Sequence, residues 1–68
     1  MFRVEIRLPD ENALTARMAT MQEWLDHQRF EPAVFRYTFE PPGILFRVEF
    51  TVQAEAVAFA KAFDGQVQ

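Results

Sequence analysis

The stretch FRVEIRL, residues 2–8, decides the fold, because hydrophobic and charged side chains alternate along it without a break. Strict alternation is typical of a β-strand with one buried face and one solvated face. A similar stretch, FRVEF, returns at residues 46–50, and a looser copy, FRYTF, occupies residues 35–39. In each copy the large hydrophobic residues share one face and Arg lies on the other. We interpret the repeat as three strands of one sheet rather than as a binding motif.

Two helical patterns separate and follow these strands. Residues 11–28 carry hydrophobic side chains at helical spacing, with Asp10 as a candidate N-cap and with Pro32 excluding continuation. A second helical pattern covers residues 53–63 and ends at Asp64-Gly65, where the glycine is the expected stop signal. The strands are predicted at residues 2–8, 33–39 and 44–51. Residues 66–68 leave room for at most a short stub of a fourth strand.

The predicted class is α+β, in one small domain that spans residues 1–68. The first two strands, joined by a helix, would be parallel, and the third strand would lie between them, antiparallel to both. This gives the sheet order 2-3-1 with two helices on one face. The order βαββα(β) resembles the ferredoxin-like plan with a truncated last strand. Because that plan hosts many unrelated functions, it says little about activity.

Charged residues predict how the first and third strands pair. One antiparallel register matches their hydrophobic residues and places Glu5 opposite Arg47. The same register places Arg3 opposite Glu49, so both charge pairs are satisfied together. Only Arg7 on this face lacks an evident charged partner.

Two registers fit the hairpin between the second and third strands. If Pro42-Gly43 is a two-residue turn, Arg36 faces Glu49. If residues 40–43 form a four-residue loop, Arg36 faces Arg47, which is an unfavourable pair of like charges. The charges favour the first register, whereas turn chemistry favours the second, because Pro does not suit type I′ or II′ turns. We expect the first register.

Composition excludes several classes of protein. The chain has no Cys, which rules out disulfides and thiolate metal sites. Its net charge of −3 argues against non-specific nucleic-acid binding. The strand aromatics are predicted to face the helices, whereas an RNA-binding sheet exposes them. No hydrophobic run approaches the ~18 residues of a membrane span, so no membrane association is expected, and a cytoplasmic location follows by default.

No residues form a recognisable catalytic, metal or cofactor site in the sequence. The chain lacks Ser as well as Cys, and neither glycine belongs to a phosphate-binding loop. The lone His27 lies one helical turn after Glu23, but no second His or Cys completes a transition-metal site. We therefore predict no catalytic residue, no metal and no cofactor.

Three functional hypotheses follow, in order of preference. A chain below roughly 70–80 residues usually needs a staple or a partner, which favours a protein-interaction module that acts as a homodimer. Its interface would be the edge of the first strand or the surface of the second helix, with the candidate residues Arg3, Glu5, Arg7, Ala54, Val57 and Ala58. The alternative is a small-ligand or anion sensor on the open sheet face, with the candidate residues Arg7, Arg36 and Arg47. An enzyme of unknown reaction is third.

Overall fold

The computed structural model describes all 68 residues, which form two helices and a four-stranded antiparallel sheet. The predicted α+β class is therefore confirmed. The elements are, in chain order, β1 (Phe2–Leu8), a single 3-10 turn (Glu11–Ala13), α1 (Leu14–Gln28), β2 (Val34–Glu40), β3 (Gly43–Phe50), α2 (Gln53–Phe63) and β4 (Gln66–Val67).

The strand order in the sheet is β2-β3-β1-β4. It contains the predicted order 2-3-1 and differs from it in detail, because β4 extends the sheet on the outer side of β1. The ladder pairs Val4 with Val67, and the backbone N–H of Gln68 donates to the carbonyl of Arg3 at 2.7 Å. The edge of β1, which the sequence offers as a candidate interface, is thus already paired over residues 3–5. Phe2 and residues 6–8 have no partner on that edge.

The register of β1 against β3 is the predicted one, with Glu5 opposite Arg47 and Arg3 opposite Glu49. The register of the β2–β3 hairpin differs from the predicted one. Glu40 pairs with Gly43, which leaves Pro41-Pro42 at the tip and places Arg36 opposite Arg47.

Turn chemistry explains the hairpin correction. A type I′ or II′ turn centred on Pro42-Gly43 would need positive φ at its first central residue, and Pro is fixed near −65°. In the observed hairpin Pro41 and Pro42 are the two central residues and neither has positive φ, so the turn is of neither type. An exposed pair of like charges costs only a fraction of about 1 kcal/mol, which is too little to impose that turn.

The two helices end in the same way. Arg29 and Asp64 each adopt a left-handed conformation, with φ of 59°. The N–H of Phe30 then donates to the carbonyl of Leu25 at 3.0 Å. At the end of α2, the N–H of Gly65 donates to the carbonyl of Ala60 at 2.8 Å. These are Schellman motifs, which satisfy carbonyls that would otherwise lack partners at a helix end. At the start of the first helical segment, the predicted cap is present, because the Asp10 side chain accepts a hydrogen bond from the N–H of Asn12 at 2.9 Å.

Gly65 has a different role from the one the sequence indicated. The left-handed position that stops α2 belongs to Asp64, and Gly65 does not have positive φ. A Cβ at position 65 would lie 2.6 Å from Cγ1 of Ile6. Glycine is therefore required there because β4 approaches β1 closely, rather than for backbone freedom.

The core lies between the sheet and the two helices and contains no buried polar side chain. Phe59 of α2 is fully buried, and its ring centroid lies 5.6 Å from Trp24, 5.5 Å from Phe50 and 5.0 Å from Phe63. Fully burying such a side chain contributes roughly 1.5–3 kcal/mol. The chain has no disulfide, and its aromatic core, which contains no buried polar side chain, contributes to the stability of the fold.

Candidate interaction surface along β2

The strand β2 forms the open edge of the sheet. It runs for seven residues and borders only β3, whereas the opposite edge is closed by the two-residue β4. Its outer backbone N–H and C=O groups therefore have no strand partner. No Pro interrupts the strand, and Arg36 and Glu40 are its only charged residues. A long hydrophobic edge of this kind is a template for pairing with another chain.

Aromatic side chains line the helix-facing side of this edge. Phe35 is half-buried, but Tyr37 is 38% exposed and Phe39 is 54% exposed. The rings of Tyr37 and Phe39 pack edge to face at 5.6 Å, and Tyr37 also contacts Phe46 at 6.0 Å. None of the aromatic contacts of these two residues is with a helix. The sequence correctly assigned their face, but the expectation that the helices cover them is wrong.

A cleft of about 450 Å³ lies between the end of α1 and the start of β2. The Schellman motif at Arg29 turns the chain so that Phe30 returns beside Leu25. These two side chains and Phe35 give the cleft its hydrophobic floor, and its remaining lining is Gln22, Asp26, Glu31 and Pro32. Sequence reasoning missed this cleft because a helix end, a loop and a strand build it jointly, and no local pattern marks it.

Two arginines on the open sheet face have carboxylate partners. Nε of Arg47 lies 3.3 Å from Oε2 of Glu5, as the β1–β3 register predicts. Nη1 of Arg7 donates to Oε1 of Glu40 at 2.9 Å, so the expectation that Arg7 lacks a partner is wrong. The partner lies two strands away and is brought near by the observed hairpin register.

Two other arginines on this face have no carboxylate within ion-pair distance. Arg36 faces Arg47 directly across the β2–β3 ladder, so two positively charged residues are cross-strand neighbours on the open sheet face. Arg3 faces Glu49 in the β1–β3 ladder, but their charged atoms make no ion pair. The three predicted anion-binding residues are therefore not equivalent, and only Arg36 is uncompensated.

The predicted interface residues of β1 and α2 lie at the surface to different degrees. Arg3 and Arg7 are exposed, whereas Glu5 is half-buried and accepts a hydrogen bond from Nε2 of Gln68 at 2.8 Å. On α2, the side chains of Ala54 and Val57 are exposed and Ala58 is half-buried. Both surfaces stay candidates, although β4 already covers half of the β1 edge.

His27 is an exposed residue near the end of α1. Its Nε2 lies 3.9 Å from Oε1 of Glu23, and both side chains are 75% exposed. No three His, Asp or Glu side chains come together as a metal site requires.

Comparison with known proteins yields no match, whether with protein-family models, with curated proteins or with solved structures. Neither helix combines the length and the hydrophobicity that crossing a membrane requires. The surface features that distinguish this chain are the open β2 edge, its exposed aromatics and the adjoining cleft.

Proposed function

We propose that this chain is a non-catalytic protein-interaction module that acts as a homodimer and is built on the ferredoxin-like plan. The strand order β2-β3-β1-β4 and the connectivity βαββαβ support that plan. The observation that carries the functional proposal is the seven-residue β2 edge, which is open and aromatic. No arrangement of side chains supports a particular reaction, so an enzyme is the weakest hypothesis.

Pairing between copies suits a chain of this size. A small domain buries a smaller share of its surface than a large one and gains stability when a partner covers more of it. Most soluble homo-oligomers are two-fold dimers, and antiparallel pairing of one strand with its own copy obeys two-fold symmetry. The β2 edge is the longest strand segment available for this.

Of the three candidate surfaces, β2 has the strongest support. The β1 edge offers only Phe2 and residues 6–8, because β4 occupies the rest. The α2 surface offers Ala54 and Val57, whose small side chains give little area. By contrast, Tyr37 and Phe39 are exposed aromatics, a residue class enriched in protein interfaces.

Sedimentation equilibrium tests the homodimer and locates its surface. From 1 to 100 µM, roughly the range in which weak self-association is measured, we expect the apparent mass to rise from 8.0 kDa toward twice that value. A mass of one chain at the highest concentration would reject the homodimer.

Two matched variants then assign the interface. Tyr37→Lys and Val57→Lys each place a charge at a hydrophobic position of similar exposure, 38% and 36%. We expect the first to dissociate the dimer and the second to leave it intact. The reverse result would assign the interface to α2. If both variants remain dimeric, the β1 edge is the remaining candidate interface.

A second function is supported by the pair Arg36 and Arg47. Two guanidinium groups placed directly opposite repel each other, and a phosphate or carboxylate bound between them would relieve that repulsion. This keeps the anion-sensor hypothesis and centres it on Arg36, because Arg7 pairs with Glu40 and Arg47 pairs with Glu5.

Thermal shift in a low-chloride buffer tests anion binding. A phosphate or dicarboxylate present at ten times its dissociation constant would stabilise the fold by about 1.4 kcal/mol, or roughly 5–10 °C. Arg36→Gln should abolish the shift and Arg3→Gln should retain it. No shift with any anion, or equal loss in both variants, would reject the site.

A further inference from the structure

We infer that the second copy docks by antiparallel pairing of β2 with β2, centred on Tyr37, and that Phe39 of each copy fills the cleft of the other. This inference rests on the proposed homodimer and specifies its geometry. It joins two features that lie four residues apart on the same strand: a protruding ring at Phe39 and the hydrophobic cleft at Phe35.

Two-fold symmetry limits the choice of register, because the strand must pair with itself about one residue. If Tyr37 faces its own copy, then Phe39 faces Phe35, and Arg36 faces Thr38. If Thr38 faces its own copy, then Phe39 faces Tyr37, and Arg36 faces the other copy's Glu40. Both registers retain the alternation of faces, so side-chain chemistry has to decide between them.

The alternative register, centred on Thr38, forms charge pairs that contribute little to the free energy of association. It would place Arg36 opposite Glu40 twice, but Glu40 already bonds to Arg7 at 2.9 Å. Exposed ion pairs also add little to association, because water and salt screen them.

The register centred on Tyr37 covers hydrophobic surface instead. It brings Phe39, 54% exposed, beside the Phe35 of the other copy, which lines the cleft. Covering the exposed half of a Phe ring removes on the order of 100 Å² of surface from water in each copy. Shifting to the Thr38 register moves the ring by about 7 Å along the strand and away from the cleft. Aromatic residues held in pockets dominate the affinity of many interfaces, which favours the Tyr37 register.

The backbone contribution is similar in either register. Pairing a seven-residue strand with its copy forms about six to eight hydrogen bonds, within the range of a specific interface. The backbone therefore supports the dimer, and the Phe39 contact selects its register.

Disulfide trapping distinguishes the registers, because the natural chain contains no Cys. Residues directly opposite in an antiparallel pair have Cα atoms roughly 4.5–5.5 Å apart, which a disulfide can bridge. Under mild oxidation we expect Tyr37→Cys to form covalent dimers at least about tenfold faster than Thr38→Cys, on the geometric requirements of a disulfide. Thr15→Cys, at an exposed position of α1 outside the three candidate surfaces, measures the rate of random collision.

Each outcome of the trapping experiment decides something. Faster trapping of Thr38→Cys would overturn the inferred register while leaving a β2 dimer. Rates of both variants equal to that of Thr15→Cys would overturn β2 pairing. The sedimentation mass of the natural chain decides separately whether any dimer exists, so failure of the geometry and failure of the homodimer are distinguishable.

A second measurement tests the contact with the cleft without altering Tyr37. Phe39→Ala should weaken self-association by at least about tenfold, as loss of a pocket-bound aromatic does. The control Val67→Ala, on the opposite edge of the sheet and also exposed, should change it less than about twofold. A Phe39→Ala dimer that matches this control, while far-UV circular dichroism shows an intact fold, would refute docking of Phe39 in the cleft.

Discussion

Replacing Phe59 with Leu tests the dry aromatic core that holds α2 to the sheet. The Phe59 ring is fully buried and lies 5.0–5.6 Å from three other aromatic rings, those of Phe63, Phe50 and Trp24. Each such pair contributes about 0.5–1.5 kcal/mol beyond the area it buries. Leu keeps much of the hydrophobic burial but loses all three pairs, so we expect a loss of about 2–3 kcal/mol.

This loss is large for a domain of this size, whose core supplies only about 3–5 kcal/mol. We expect the melting temperature to fall by about 10–20 °C, since 1 kcal/mol shifts it by about 4–8 °C in a domain of 60–100 residues. Urea and thermal unfolding followed by circular dichroism measure both quantities.

Val57→Ala is the matched control, because Val57 lies on the same helix but is exposed. It should change the free energy of unfolding by less than about 0.5 kcal/mol when measured at the same protein concentration. If Phe59→Leu is no more destabilising than this control, the Phe59 ring does not pack against Trp24 and the sheet as described.

Three further substitutions probe the backbone and the open sheet face. Arg29→Gly should stabilise the fold by about 0.5–1 kcal/mol, because glycine accepts the left-handed conformation at the end of α1; a lower urea midpoint would contradict this. Gly43→Ala should cost about 1–3 kcal/mol, since its Cβ would overlap the carbonyl oxygen of Leu8, and an unchanged midpoint would refute that contact. Arg36→Gln should stabilise by about 0.2–1 kcal/mol at low salt by removing a repulsion with Arg47, and the gain should vanish near 1 M salt. A gain that persists at high salt would mean that charge is not its cause.

The sequence predicts the elements and the central ladder well for a physical reason. Along β1 and β3, hydrophobic alternation and charge pairing specify the same register, so one pattern reinforces the other. The second helix is also predicted with its observed bounds, Gln53–Phe63, from its hydrophobic spacing, although the left-handed residue that ends it is Asp64 rather than Gly65.

Where two signals conflict, the sequence alone misleads. At the hairpin, a weak charge preference favours one register, and the fixed φ of Pro42 excludes the turn which that register needs. The observed register is the one that the backbone of Pro42 allows. That error also hid the Arg7–Glu40 ion pair, because the pair depends on the hairpin register.

The candidate site is less predictable than the fold. Alternation assigns Tyr37 and Phe39 to the helix-facing side of the sheet, but it does not show how far the helices extend over that side. The exposure of these rings and the shape of the cleft follow from the packing of α1 and its C-terminal turn. These are tertiary features, which no local periodicity encodes.

Amide hydrogen exchange, measured by NMR at low and high protein concentration, reports on the β2 edge residue by residue. If β2 pairs with a second copy, alternate amides within Val34–Glu40 should exchange more slowly as concentration rises, because their outward N–H groups acquire partners. The amides of residues 6–8 on β1 should exchange at the same rate at both concentrations. Exchange along β2 that is independent of concentration, or new protection at residues 6–8 instead, would contradict dimerisation through β2.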